Sequence, residues 1–104
     1  MDVHDINRST IKTSEEFQKI CLQLVKQYTE EHLDKSDKNI PEVEPFVVWY
    51  CKTLQNHKAL CSTNIFDGMY YEITYNGDKN QIYFDAYKKF ENKCFDLDAN
   101  KRER

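Results

Sequence analysis

The sequence predicts an α+β fold: one N-terminal amphipathic helix packed on a four-stranded antiparallel meander of two consecutive hairpins. Three observations carry that prediction. An apolar stripe of helical period occupies residues 17–28. Twelve of the fourteen aromatic residues lie between Phe46 and Phe95, in segments rich in branched and ring side chains that favour strand. Turn residues break that aromatic half into four pieces.

The helix is expected from Ser14 to Leu33. Thr13 and Glu16 form a capping box: the Thr13 hydroxyl can accept from the Glu16 N–H, and the Glu16 carboxylate can reach back to Thr13. Acids in this first turn also suit the positive end of the helix dipole. Phe17, Ile20, Cys21, Leu24, Val25 and Tyr28 then define one face, continued by His32 or Leu33. Lys19, Gln23, Lys26, Gln27 and Glu30 mark the wet face. A lone helix has nothing to bury this stripe against, so it must pack on the aromatic half.

Residues 34–39 read as a polar turn, and Pro41 and Pro45 bias the residues before them towards extended backbone. The first strand is expected over Phe46–Leu54, the returning strand over Lys58–Thr63, with Gln55, Asn56 and His57 as the turn. Asp67 and Gly68 break the chain again. Met69–Tyr75 and Gln81–Tyr87 form the second hairpin around Asn76-Gly77, a pair that tolerates positive φ. Lys88–Phe95 fits either a continuation of the last strand, bent by a bulge near Lys88 and Lys89, or a short terminal helix. The expected layout is an irregular N-terminus over residues 1–12, a single domain over 13–95 and a polar tail over 96–104.

Strict alternation gives this sheet two apolar faces. Phe46, Val48 and Tyr50 would share one side of the first strand, and Val47, Trp49 and Cys51 the other. Tyr71, Ile73 and Tyr75 oppose Tyr70 and Glu72 in the third strand; Ile82 and Phe84 oppose Tyr83 and Tyr87 in the fourth. One helix covers one face. The other would expose Trp49 with Tyr70, Tyr83 and Tyr87, and contiguous exposed apolar surface marks a contact site.

Composition excludes several function classes. A chain of 104 residues makes one domain. Its net charge is −3, with ten acids and six bases in residues 1–45 and eight acids and nine bases in residues 46–104. Neither half has the dense basic patch that neutralises nucleic-acid phosphates, so no nucleic-acid partner is expected. No segment approaches the ~20 apolar residues of a membrane span, and MDVHDINRST lacks the apolar centre of a signal peptide. The expected location is the cytoplasm, with reduced thiols. Cys51 and Cys61, the nearest cysteines, have nine residues between them, against the close pairs typical of zinc sites. No metal or cofactor is expected, and the cysteines read as small buried hydrophobes.

Catalytic patterns are weak. His4, His32 and His57 lie in an irregular end, a helix end and a turn. There a helix-end imidazole serves the last carbonyls and a turn imidazole is solvated. Asp67, Glu72 and Asp85 are the best acid candidates: paired third and fourth strands would oppose Glu72 and Asp85, an unfavourable contact that Lys52 or Lys58 could relieve. Surface ion pairing explains these carboxylates more simply than catalysis does. The rings suit recognition, because tyrosine and tryptophan bring apolar area with a polar tip. A planar nucleotide could stack on them, with Lys58, Lys79, Lys88 and Lys89 near its phosphates.

The segments Val47–Ala59, Gly68–Asn80 and Tyr83–Asn92 resemble a family of small proteins from phages and prophages of Firmicutes, over about residues 15–95. The family carries no activity or site residue to transfer. The resemblance implies a context in which small proteins bind host machinery or host defence. The expected function is therefore that of a non-enzymatic phage accessory protein, an anti-defence or host-takeover modulator. It would bind a host or defence protein, or a second copy, through Trp49, Tyr70, Tyr83 and Tyr87 with Lys58 and Lys88. The alternatives are an oligomeric sponge for a signalling nucleotide and a small enzyme using Glu72 or Asp85.

Overall fold

The computed structural model describes residues 10–33, 36 and 39–98. The expectations for His4, for most of the 34–39 turn and for residues 99–104 lie outside the described residues. The element order is α1 (Ser14–His32), β1 (Pro45–Thr53), β2 (Asn56–Thr63), β3 (Met69–Asn76) and β4 (Gln81–Lys88). The strands form one antiparallel sheet in the order β1-β2-β3-β4, a meander of two hairpins with α1 on one face. The expected fold class holds. Among the described residues, no helix is long and apolar enough to cross a membrane.

The capping box forms as the sequence specifies. The Glu16 N–H donates to Thr13 Oγ1 at 3.1 Å, and the N–H groups of Lys12 and Thr13 both donate to Glu16 Oε1 at 3.0 Å. Those two backbone donors hold the Glu16 carboxyl below the ordinary carboxylate range. At the other end, His32 Nδ1 meets the Tyr28 carbonyl oxygen at 2.8 Å and the ring stacks on Tyr28. This is the carbonyl-serving role expected of a helix-end imidazole.

The buried seam of α1 is Phe17, Cys21, Val25 and Thr29, with Ile20 and Tyr28 packed at its flanks. The spacing is a strict four, so the stripe centre lies to one side of the broader face read from apolar residues alone. Thr29 was invisible to that count because it is polar; its hydroxyl donates to the Tyr71 hydroxyl at 3.4 Å. The middle of the seam meets small side chains, Ala59 and Cys61, which let helix and sheet approach closely. Rings fill both ends. Tyr28, Tyr71 and Phe84 lie 5.3–5.6 Å apart at one, and Phe17 sits 5.1 Å from His57 at the other. Fully burying side chains such as Phe17, Val25 and Ile73 contributes roughly 1.5–3 kcal/mol each. Cys21 and Cys61 are both buried, and the hydrogen bond to Cys61, with burial, pushes the Cys21 thiol up. Cys51 and Cys94 are exposed, so two of the four cysteines depart from the buried-hydrophobe reading.

Residues 10–12, expected to be irregular, strap across the sheet end. Ile11 is buried in the core, and Thr10 donates from its N–H to the Tyr75 hydroxyl at 3.1 Å and from Oγ1 to Asn80 Oδ1 at 2.8 Å. A second strap precedes β1. The Glu44 N–H donates to Asn64 Oδ1 at 2.7 Å, Asn64 Nδ2 donates to the Glu42 carbonyl at 2.9 Å, and Val43 is buried beneath. Pro45 stands at the first position of an edge strand, where its missing N–H is tolerated.

Three expectations about the strands are corrected. In β1 the pairing moves from Val47–Cys61 to Trp49–Leu60, leaving Val48 as a bulge. That extra residue reverses the alternation, so Val47 and Tyr50 both pack on the core while Phe46 and Trp49 both face away. The first turn is Leu54–Gln55, with Thr53 paired to Asn56. His57 thus belongs to β2 and is buried, not a solvated turn residue. Finally, β4 stops at Lys88, and residues 89–98 are neither helix nor strand. The Lys89 N–H still donates to the Gly68 carbonyl at 2.7 Å, in register with the Met69–Lys88 pair, and it is the last bond of the ladder.

Candidate functional site

The face of the sheet away from α1 is built from alternate residues of four strands. Register places them in three rows. Phe46 pairs with Ser62 at one end, where Tyr70 also pairs with Tyr87. The middle row runs Trp49, Leu60, Glu72, Asp85 from edge to edge. The third runs Cys51, Lys58, Thr74, Tyr83.

Trp49, Tyr83 and Tyr87 are 43 to 52% exposed, as are Phe46 and Val48 beside Trp49. Tyr70 is half-buried, with the Lys89 ammonium 5.6 Å from its ring centre, and the Tyr83 hydroxyl donates to Gln81 Oε1 at 3.0 Å. Trp49 and the β4 tyrosines stand on opposite edges, three strand spacings or about 14 Å apart. The centre between them is polar. Glu72 opposes Asp85 across the β3–β4 pair, as expected, and Lys58 Nζ lies 3.6 Å from Glu72 Oε2. Lys58 therefore does relieve the opposed carboxylates, while Lys52 lies near the other surface and donates to the Leu54 carbonyl. The single aromatic patch expected from the sequence is instead two flanks around an ion-paired centre.

The flanks meet at the end carrying Phe46 and Tyr70. There a cavity of about 190 Å³ opens among Phe46, Ile65, Phe66, Tyr70 and Lys89. Ile65 and Phe66 lie in the β2–β3 connection, where the sequence marks only a break at Asp67 and Gly68. A phenylalanine in a polar loop, Asn64 to Gly68, was the available signal. Lys88 does not join this surface: it lines a separate cavity of about 240 Å³ with Tyr28, His32 and Asp67, on the helix side. Both volumes fall below the roughly 300–1,000 Å³ of small-molecule pockets. Glu72 and Asp85 line neither. No cluster of three or more histidine, cysteine or acidic side chains fit to hold a metal occurs among the described residues.

A model of one protein family matches residues 18–97, from within α1 to the segment beyond β4. The chain belongs to the DUF6275 family. That family is described as one of unknown function. No curated protein and no solved structure matches the chain. The DUF6275 match spans all four strands, so the outer face, its two flanks and the Phe46–Tyr70 cavity all lie inside the family's extent.

Proposed function

We propose that this DUF6275 member is a non-catalytic binding protein that contacts another protein through the outer face of its sheet. The observation that carries the reading is the set of half-exposed rings, Phe46, Trp49, Tyr83 and Tyr87, held on strands whose opposite face is a closed core. Rings fixed on a sheet lose little entropy on binding and bring large apolar area, the character of interface anchors. The Lys58–Glu72 pair supplies a polar centre that fixes orientation more than affinity. The resemblance to phage and prophage proteins supports an accessory role in the host cytoplasm, with a host or anti-phage-defence protein as partner.

Pull-down from phage-infected host cells with the tagged chain tests this. The wild-type chain is expected to retain a defined partner, and Trp49→Ala to bind it at least about tenfold more weakly, as loss of an anchor does. Unchanged capture by a folded Trp49→Ala variant overturns the face assignment.

A nucleotide sponge is the second reading, favoured by the Lys89 ammonium over the Tyr70 ring, which places a phosphate-binding charge beside a stacking surface. It predicts a co-purified small molecule in native mass spectrometry. An enzyme working through Glu72 or Asp85 would require a substrate to be enclosed on the open sheet face.

A further inference from the structure

We infer that two copies of this chain associate by exchanging residues 89–98, each copy laying Phe90 and Phe95 across the Phe46–Phe66–Tyr70 cavity of the other. The inference rests on the reading of the outer face as a contact surface and names the occupant of one end of it.

The donor side is the segment after β4. It runs from Lys89 to Asp98 without helix, strand, turn or bend. Phe90, Phe95 and Leu97 on it are 92, 77 and 81% exposed. Three large apolar side chains held in water along ten residues are unfavourable, and each would gain roughly 1.5–3 kcal/mol on burial. The ion pair between Lys93 and Glu91, 3.2 Å, occupies the charged residues between them locally.

The acceptor side is the cavity of about 190 Å³, a space that suits one aromatic side chain. Its rim includes Phe66, which is fully exposed, and the half-exposed Phe46. Apolar donor and apolar acceptor thus occur on the same molecule, the condition for a self-complementary interface about a two-fold axis. The topology favours exchange. Lys89, where the segment begins, is itself on the cavity rim, and its N–H is fixed to the Gly68 carbonyl. A two-fold axis passing close to Lys89 brings each segment over the neighbouring cavity within a residue or two of its root.

The area is sufficient. Phe90 and Phe95 of both copies make four rings; at roughly 150–250 Å² for each ring, together with an equal area of the surface they cover, they come to the order of 1,200–2,000 Å² of a specific interface. Exchange uses the Phe46–Tyr70 end and leaves Trp49 and Tyr83 open for a different protein.

Sedimentation of the full chain over a micromolar concentration series tests the inference. The wild-type chain is expected at dimer mass. The double variant Phe90→Ser, Phe95→Ser changes only exposed side chains, so it should keep the wild-type circular dichroism and associate at least about 100-fold more weakly. Phe66→Ser, on the acceptor side, should do the same. An equal mixture of the two variants retains one intact segment and one intact cavity and should recover association that neither shows alone. A monomeric wild-type chain, a double variant that stays dimeric, or a mixture without recovery overturns exchange. These outcomes need no host partner. Dimerisation that survives the double variant but is lost in Trp49→Ala would sink the exchange and leave the outer-face reading standing; normal exchange with host capture indifferent to Trp49 would do the reverse.

Discussion

The hydroxyl of Tyr50 and Nδ1 of His57 lie 2.6 Å apart, beneath Phe17 at the start of α1. Two features create this contact. The Val48 bulge turns Tyr50 to the core side of β1, and the two-residue turn at Leu54–Gln55 puts His57 on the same side of β2. An imidazole that composition alone would leave in solvent is therefore walled in by Phe17, Tyr50 and Tyr75, with 1% of its surface exposed.

Burial, reinforced by the nearby Lys52 charge, lowers the His57 pKa below its ordinary value. The unfolded chain takes up this proton near pH 6.5, while the folded chain resists it. Stability contributed by neutral His57 is thus complete above pH 6.5 and is lost as pH falls from there towards the folded pKa. Urea unfolding between pH 7.5 and 5.5 should show a falling midpoint, with a slope of at most about 1.4 kcal/mol per pH unit for one proton. His57→Gln removes the titrating group and should flatten that part of the profile. Tyr50→Phe should cost about 1 kcal/mol at pH 7.5, the net worth of one hydrogen bond. An unchanged slope in His57→Gln would assign the titration to another group.

Elements governed by local rules were legible in the sequence. Thr13 and Glu16 announced the start of α1 to the residue, and the apolar period carried it to within one residue of its end. The Glu72–Asp85 opposition followed from counting around the β3–β4 loop, because alternation is strict there. What escaped depends on contacts distant in sequence. Nothing local marks Val48 as the bulge, since Val47 and Val48 are the same residue type; only pairing with Cys61 and Leu60 decides which is extra. Thr29 is buried because Tyr71 stands opposite it, and Ile11 because Tyr75 does. The exposed cavity at Phe46 and Tyr70 needed that bulge and the packing of the Ile65–Phe66 loop together. Lys88 was assigned to the outer face on charge alone, whereas register places it behind the sheet beside Met69.

The N-terminal cap of α1 is separable from tertiary packing, since Thr13 and Glu16 are both exposed. Thr13→Ala removes the acceptor for the Glu16 N–H and should cost about 1 kcal/mol, within a range of roughly 0.5–2. Glu16→Gln keeps the length of the side chain but weakens its charge-assisted bonds to Lys12 and Thr13. Both losses should register in chemical denaturation followed by circular dichroism, and the double variant should lose less than the sum because the two groups share one motif.

Gly77 is required for space and not for a left-handed backbone. Its φ is not positive; in the β3–β4 loop that conformation falls to Asn80, at φ 52°. The expectation that Asn76-Gly77 works through positive φ is thereby corrected. A Cβ on Gly77 would meet the Gln55 carbonyl oxygen at 2.3 Å, where the two hairpin tips touch and the Gly77 N–H donates to Asn56 Oδ1 at 2.9 Å. The neighbour is backbone and cannot rotate away. Gly77→Ala should therefore separate the tips and cost about 1–3 kcal/mol, the usual range for overpacking, in thermal or urea unfolding. A neutral substitution would show that the tips part freely.

Leu54 carries the opposite problem. It occupies the first position of the two-residue turn between β1 and β2 with φ 55°, a region costly for any residue with a Cβ and especially for one without a polar side chain to bond locally. Its side chain is exposed and contributes little burial in return. The sheet tolerates the strain because eight paired positions on either side of the turn fix the hairpin. Positive φ at the first turn position and not at Gln55 is the geometry that favours glycine there, so Leu54→Gly should stabilise the fold by about 0.5–1 kcal/mol, raising the urea midpoint without changing the slope. Leu54→Asn keeps a Cβ in this region and should gain less than Gly. A Leu54→Gly variant less stable than the wild-type chain would mean that the leucine side chain makes a contact worth more than its backbone strain.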